Sequence, residues 1–194
     1  MTSEDFATLK LVRVGHVLRV TIDHPSSALN AVDERLHHDL TALCAGLKRE
    51  AEARAVLLTG RGRAFSAGGD FAWFPALQEP GRLETLRRDA KQLIWDLLDV
   101  EVPIVAAVNG HAMGLGASIA LLADVIFMSD TATIGDPHVR VGIVAGDGGG
   151  PSPPAATSRG SPRCRSPGGW KPSAATPSSS SGTCSTWRCR SWRP

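Results

Sequence analysis

The stretch Val105–Asp124, VAAVNGHAMGLGASIALLAD, combines the patterns of a strand, a turn and a helix. Pro103–Val108 is a short apolar run that includes β-branched residues, which predicts a buried strand. Asn109-Gly110 is typical of a turn. Gly114-Leu115-Gly116 then leads into Ala117–Ala123, which has no polar face and is predicted to be a core helix. The start of a helix has unpaired N–H groups and a partial positive charge, so this one could hold a negatively charged oxygen.

The flanking sequence alternates between strand and helix patterns, which predicts an α/β fold. Asn30 is expected to cap the first of two amphipathic helices. The remaining turns include a small-residue turn at Ala64–Asp70 and a glycine-punctuated segment at Thr133–Gly149. The predicted strands are Leu9–Val14, His16–Asp23, Arg54–Thr59 and Asp124–Met128, and the predicted amphipathic helices span about 32–52 and 82–99.

The composition changes near Gly150, which divides the chain into a core of residues 1–149 and a tail of residues 150–194. The tail contains no Leu, Ile, Val, Phe or Met, so it has nothing to bury and is predicted to be disordered. It is either a natural low-complexity tail or the product of a shifted reading frame in GC-rich DNA. Its three Trp and three Cys favour the second explanation.

Charge and hydropathy exclude several classes of protein. Residues 1–149 contain 14 basic and 19 acidic side chains, so the core is not predicted to bind nucleic acid. The acidic N-terminus lacks a signal-peptide pattern and no apolar run reaches 18 residues, so we expect a cytoplasmic protein without a membrane segment. The cysteine spacing fits no zinc pattern, and we expect no metal.

Two glycine-rich turns carry the strongest functional signal. The first is Ala64-Phe65-Ser66-Ala67-Gly68-Gly69-Asp70, and the second is Asn109-Gly110-His111-Ala112-Met113-Gly114-Leu115-Gly116. As a pair they resemble the crotonase (enoyl-CoA hydratase/isomerase) superfamily, over about residues 9–149. The resemblance implies a spiral of ββα units, here truncated. It also implies a homotrimer or hexamer, although this chain is expected to lack the C-terminal helices that usually form it.

In that superfamily, two backbone N–H groups form an oxyanion hole for an acyl-CoA thioester. The resemblance places these donors at Gly69 and Leu115, with Ala67, Gly68, Gly69 and Gly114 next to the substrate. Coenzyme A would be part of the substrate, and no separate cofactor is expected. The chemistry agrees, because an enolate collects charge on its oxygen and losing one such donor typically costs about 3–4 kcal/mol.

The acid and base groups differ from the family pattern. Ser118 and His138 stand where family hydratases commonly have glutamates. His138 and Asp147 are therefore the candidate catalytic pair, since an imidazole is suited to general-base work and a carboxylate can orient it. The alternatives are structural: a packed or surface histidine, and an aspartate capping a turn between glycines.

Three hypotheses remain open on the sequence alone. The first is an enoyl-CoA hydratase or isomerase. The second is a crotonase-fold hydrolase of β-diketone carbon–carbon bonds using His138 and Asp147, a branch that Gly142–Gly148 also resembles. The third is an inactive, truncated product that exposes apolar surface, including parts of 82–99. A Rossmann interpretation is weak, because Ile119 occupies the third glycine position of that fingerprint.

Overall fold

The computed structural model describes residues 2–142. The predicted tail, as well as Asp147 and the rest of residues 143–149, lie outside the described residues. Among residues 2–142, no helix is both long and apolar enough to cross a bilayer. The strands are β1 (Leu9–Val14), β2 (Val17–Ile22), β3 (Ala55–Gly60), β4 (Ala64–Ser66), β5 (Ile104–Val108), β6 (His111–Met113), β7 (Val125–Met128) and β8 (Thr133–Gly135); the α-helices are α1 (Glu34–Leu47), α2 (Arg82–Leu98) and α3 (Leu115–Leu122).

The elements follow one another as repeated ββα units. Two strands precede each of α1, α2 and α3, and β7 and β8 are followed by a short 3₁₀ helix, His138–Val141. Within the described chain, a five-stranded sheet has the order β1-β2-β3-β5-β7 and a three-stranded sheet has the order β4-β6-β8. Apart from the β1–β2 hairpin, neighbouring strands are parallel. This confirms the predicted α/β spiral.

The core lies between the large sheet and the helices. Leu18, Val56 and Ile104 occupy matching register positions on β2, β3 and β5, and all three are buried. The next buried row, two residues further along each strand, follows the period-two alternation of a half-buried sheet. Helix α1 contributes Leu36, Leu40, Leu43 and Leu47, each 3 % exposed or less. Burial of each such side chain stabilises the fold by about 1.5–3 kcal/mol.

The helices differ from the predictions at their ends and faces. Helix α1 begins after Asp33, whose Oδ1 accepts a hydrogen bond from Leu36 N at 2.9 Å, so the prediction that Asn30 caps it is wrong. Helix α3 is not buried on every face, since Leu121 is 55 % exposed in the described structure. Trp95 and Leu98 of α2 are also exposed.

The sequence patterns missed the small sheet. Strands β4, β6 and β8 have three residues each, too few to establish an alternating pattern, and they lie in segments predicted as turns. The chain passes from the large sheet to the small one at sharp corners. At the β5–β6 corner, a Cβ on Gly110 would lie 1.9 Å from the carbonyl oxygen of Arg63, so only glycine allows this approach.

Asn30 connects the segment before α1 to β4. Its φ is +51°, a conformation that asparagine tolerates better than most residues, and it is 2 % exposed. Its Nδ2 donates to the carbonyl oxygens of Arg61, Ala64 and Phe65 at 3.0–3.3 Å, and its Oδ1 accepts from His24 N at 3.1 Å. One buried amide therefore fixes the entrance to the first glycine-rich turn.

We predict that Asn30→Asp lowers the free energy of unfolding by about 2–3 kcal/mol, because the same volume then presents a carboxylate to three carbonyl oxygens. Urea unfolding of the full chain at pH 7 measures this change. Ser27→Ala is the control: it removes one hydrogen bond in the same loop, from Ala31 N to Ser27 Oγ, and should cost about 1 kcal/mol or less. Equal unfolding midpoints for Asn30→Asp and the parent chain would contradict the assigned role.

Candidate active site

The small sheet brings the candidate site segments together at one edge. Its three strands are parallel, so their carboxyl ends lie side by side. Strand β4 leads into residues 67–70, β6 leads into Gly114-Leu115, and β8 leads into Asp136–His138. Open parallel sheets typically bind ligands at this edge.

The two glycine-rich turns touch through their backbones. Gly68 has a φ of +81°, and a Cβ there would lie 2.7 Å from the carbonyl oxygen of Met113. A Cβ on Gly116 would lie 2.7 Å from Cβ of Ser66. Side chains at these glycines would separate the turns, which explains physically why both turns are built from small residues.

In the first turn, Gly69 forms a single parallel bridge with Val32. The bridge uses the atoms on either side of Gly69: Val32 N donates to Gly68 O at 2.7 Å, and Asp70 N donates to Val32 O at 2.9 Å. This leaves the Gly69 N–H outside the bridge. No acceptor for it is present among residues 2–142.

In the second turn, Leu115 is the first residue of α3. Gly114, which precedes it, has φ +51° and ψ −122°, a conformation that glycine adopts readily. Gly114 N donates to Gly135 O at 3.1 Å, and Gly114 O accepts from Ser118 N at 3.0 Å. The N–H of Leu115 has no acceptor within the described part of the chain, as expected for the first turn of a helix.

His138 lies against the second turn. A Cβ on Gly114 would be 3.5 Å from Cε1 and 3.9 Å from Nε2 of the imidazole. The other ring nitrogen, Nδ1, forms a hydrogen bond with Oδ1 of Asp136. Both side chains are largely buried, at 19 % and 12 % exposed. The small sheet thus brings His138 next to Gly114, the residue before Leu115.

The carboxylate that contacts His138 in the structure is that of Asp136, which the sequence analysis did not identify as a candidate. The predicted partner, Asp147, lies outside the described residues, so that pairing stays a prediction. Asp136 lies two residues before His138 in the sequence, and the sequence analysis assigned it no role. The available signal was local, since an aspartate commonly binds the backbone N–H two residues later. Here Oδ1 accepts from His138 N at 2.9 Å.

Ser118 stands one helical turn after Gly114. Its hydroxyl donates to Gly114 O at 3.4 Å, a common contact of serine within helices. A serine hydroxyl cannot take the place of a carboxylate as an acid or base near neutral pH, so His138 is the titratable side chain placed closest to Gly114. Within residues 2–142 there is no group of three or more His, Cys, Asp or Glu suited to a metal ion.

Two surface depressions of about 690 Å³ each lie elsewhere in the described structure. One is next to the N-terminal segment and the start of α1, and the other lies between α1 and α2. Neither is lined by the glycine-rich turns or by His138. In the depression between α1 and α2, burial lowers the pKa of His37, which favours the neutral ring. The candidate site is defined by the backbone geometry of the two turns.

The fold and the paired turns define a crotonase-type protein, and comparison with known proteins agrees. The sequence profile described as "Enoyl-CoA hydratase/isomerase" matches residues 13–155, so the chain belongs to the enoyl-CoA hydratase/isomerase family.

Individual relatives support the same assignment. A Rhodobacter capsulatus protein named "Probable enoyl-CoA hydratase" is 38 % identical over 131 residues, which are 67 % of this chain and 49 % of that protein. The crystal structure of an enoyl-CoA hydratase/isomerase from Mycobacterium paratuberculosis superimposes with a TM-score of 0.70 at 39 % identity, over 75 % of this chain and 59 % of that one. The chain thus spans about half the length of the curated relatives it matches.

We predict that the amide protons of Gly69 and Leu115 exchange with solvent at least about tenfold faster than those of Ala67 and Asp70, because a backbone hydrogen bond protects an amide from exchange. The neighbours are bonded, Ala67 N to Leu29 O at 3.0 Å and Asp70 N to Val32 O. Hydrogen exchange of the full chain, followed by NMR, measures the four rates. Equal protection from exchange at all four positions would show that the N–H groups of Gly69 and Leu115 are already hydrogen-bonded within the protein.

Proposed function

We propose that this protein binds an acyl-CoA thioester and catalyses a hydratase- or isomerase-type reaction through an enolate. The N–H groups of Gly69 and Leu115 would bind the thioester oxygen. The observation that carries the proposal is the contact between the two glycine-rich turns. Each turn contains a backbone N–H group that has no acceptor among residues 2–142. Family membership supplies the substrate class.

In the proposed reaction, negative charge develops on the thioester oxygen. Removal of a proton next to the thioester, or addition of water to its double bond, moves electrons onto the carbonyl oxygen. Two fixed donors stabilise that oxygen more strongly in the enolate than in the ground state, and each is worth about 3–4 kcal/mol. The first turn of α3 adds the partial positive charge of a helix N-terminus.

His138 would transfer the proton. In hydration, Nε2 would accept a proton from water as the water oxygen bonds to the β-carbon and the double-bond electrons move to the thioester oxygen. The imidazolium would then return that proton to the α-carbon, and the carbonyl would re-form. One histidine can act in both steps, because an imidazole can accept a proton and an imidazolium can donate one.

A second candidate is hydrolysis of a β-diketone carbon–carbon bond. The observation that favours it is the replacement of both expected glutamates, by Ser118 and by His138. Water activated by His138 would attack one carbonyl, the carbon–carbon bond would break, and its electrons would form an enolate bound by the two N–H groups. Proton return to carbon would complete the reaction. Asp147 remains the proposed partner of His138 on this route.

The proposals are tested by giving the full chain crotonyl-CoA and cyclohexane-1,3-dione in parallel, with turnover followed by ultraviolet absorbance. We expect hydration of the thioester, and a loss of about 10²–10⁴-fold in kcat for His138→Gln. His111→Gln is the control, because His111 is exposed at the other end of β6, where Nδ1 contacts Thr133 Oγ1; it should retain parental activity.

The other outcomes separate the hypotheses. Turnover of the diketone alone would replace the first proposal with the second. A folded chain that turns over neither compound would support an inactive product. Full activity in His138→Gln would remove that histidine from the mechanism.

A further inference from the structure

The carboxylate of Asp136 contacts the imidazole of His138 at a different atom from the two that face the second glycine-rich turn. Nδ1 is paired with Asp136 Oδ1, whereas the Cε1–Nε2 edge lies next to Gly114. The ring therefore bridges an acid and the residue that precedes the Leu115 donor. A backbone hydrogen bond also holds Gly114 next to this loop, because Gly114 N donates to Gly135 O at the end of β8.

An ionised carboxylate can only accept hydrogen bonds, so the ring must donate through Nδ1. In the neutral imidazole, a proton on Nδ1 leaves the lone pair on Nε2. That is the nitrogen next to Gly114, where the substrate of the proposed reaction would lie. The hydrogen bond with Asp136 thus selects the tautomer in which the correct nitrogen can accept a proton.

We infer that Asp136 is a positioning residue for His138: it holds the proton on Nδ1, orients the ring toward Gly114 and stabilises the imidazolium that forms when Nε2 accepts a proton. This inference rests on the proposed function. It differs from the sequence-based expectation, in which Asp147 has this role.

The arrangement of the loop supports a role beyond local structure. Oδ1 of Asp136 accepts from the backbone N–H of His138 as well as from the ring. The backbone contact alone would be a common turn. Because the turn brings the same oxygen against the ring, it orients the carboxylate and the imidazole together, and both are largely buried.

The test uses the full chain labelled with ¹⁵N-histidine and NMR at a pH where the histidines are neutral, with the His138 signals assigned through His138→Gln. We expect the proton of His138 to reside on Nδ1. In Asp136→Asn, which can still accept from the backbone N–H, we expect part or all of the population to move to Nε2. The same Asp136→Asn variant should also lose activity. With crotonyl-CoA as substrate, its kcat should be lower than that of the parent chain by about 10²-fold or more, while its KM should change less than about threefold.

Two further variants separate positioning from folding. Asp136→Ser keeps a short oxygen acceptor for the backbone N–H of His138 but removes the carboxylate, so it should lose kcat without a matching loss of the urea midpoint. Asp130→Asn removes an exposed acid from the turn between β7 and β8, and it should leave both the tautomer and kcat unchanged.

The inference is overturned if neutral His138 carries its proton on Nε2 in the parent chain, or if Asp136→Asn changes neither the tautomer nor kcat. The turnover assay and the NMR measurement also test different claims. A parent chain without turnover contradicts the proposed function, whereas the NMR signals still decide whether Asp136 sets the state of the ring.

Discussion

The close approach of two backbone turns is the constraint on which the candidate site depends. Gly68 lies so close to the Met113 carbonyl that a single methyl group would overlap it. The contact brings Gly69 and Leu115, nearly fifty positions apart in sequence, to the same edge of the small sheet. The proposed donors are backbone N–H groups, so the proposed chemistry would require no particular side chain at these two positions.

Polar side chains hold β4 of the small sheet and the chain that leads into it in place. Asn30 binds the carbonyls at the entrance to β4, and Asn109 accepts from Gly60 N at 3.0 Å while it donates to Gly62 O at 2.9 Å. Both asparagines therefore bind the chain as it passes from β3 to β4. Ser66 continues the connection, since its hydroxyl donates to Asn30 O at 2.8 Å and accepts from Gly68 N at 3.3 Å. These hydrogen bonds thus form a continuous connection from the β3–β4 passage to Gly68 in the first glycine-rich turn.

The sequence predicted what depends on long patterns and on paired motifs. Helices α1 and α2 and the strands of the large sheet follow from apolar periodicity, and the two glycine-rich turns identified the superfamily. Strands β4, β6 and β8 could not be predicted in this way, because three residues carry no period. Asn30 was misassigned because a helix cap and a buried amide that binds distant carbonyls look alike in sequence. The contact between Asp136 and His138 depends on the turn conformation, which single residue types do not determine.

The departure from the family pattern concerns the acid and base groups rather than the donors. His138 lies against Gly114 and contacts Asp136 through Nδ1, while the Ser118 hydroxyl donates to the carbonyl oxygen of Gly114. In the proposed reaction, the N–H groups of Gly69 and Leu115 would stabilise the enolate, and an imidazole instead of a carboxylate would transfer the proton.

The most direct measurement is a crystal structure of the full chain with acetyl-CoA bound. The account predicts the thioester oxygen at about 2.7–3.1 Å from both Gly69 N and Leu115 N. A thioester bound elsewhere, or an oxygen that reaches only one of these nitrogens, would contradict it.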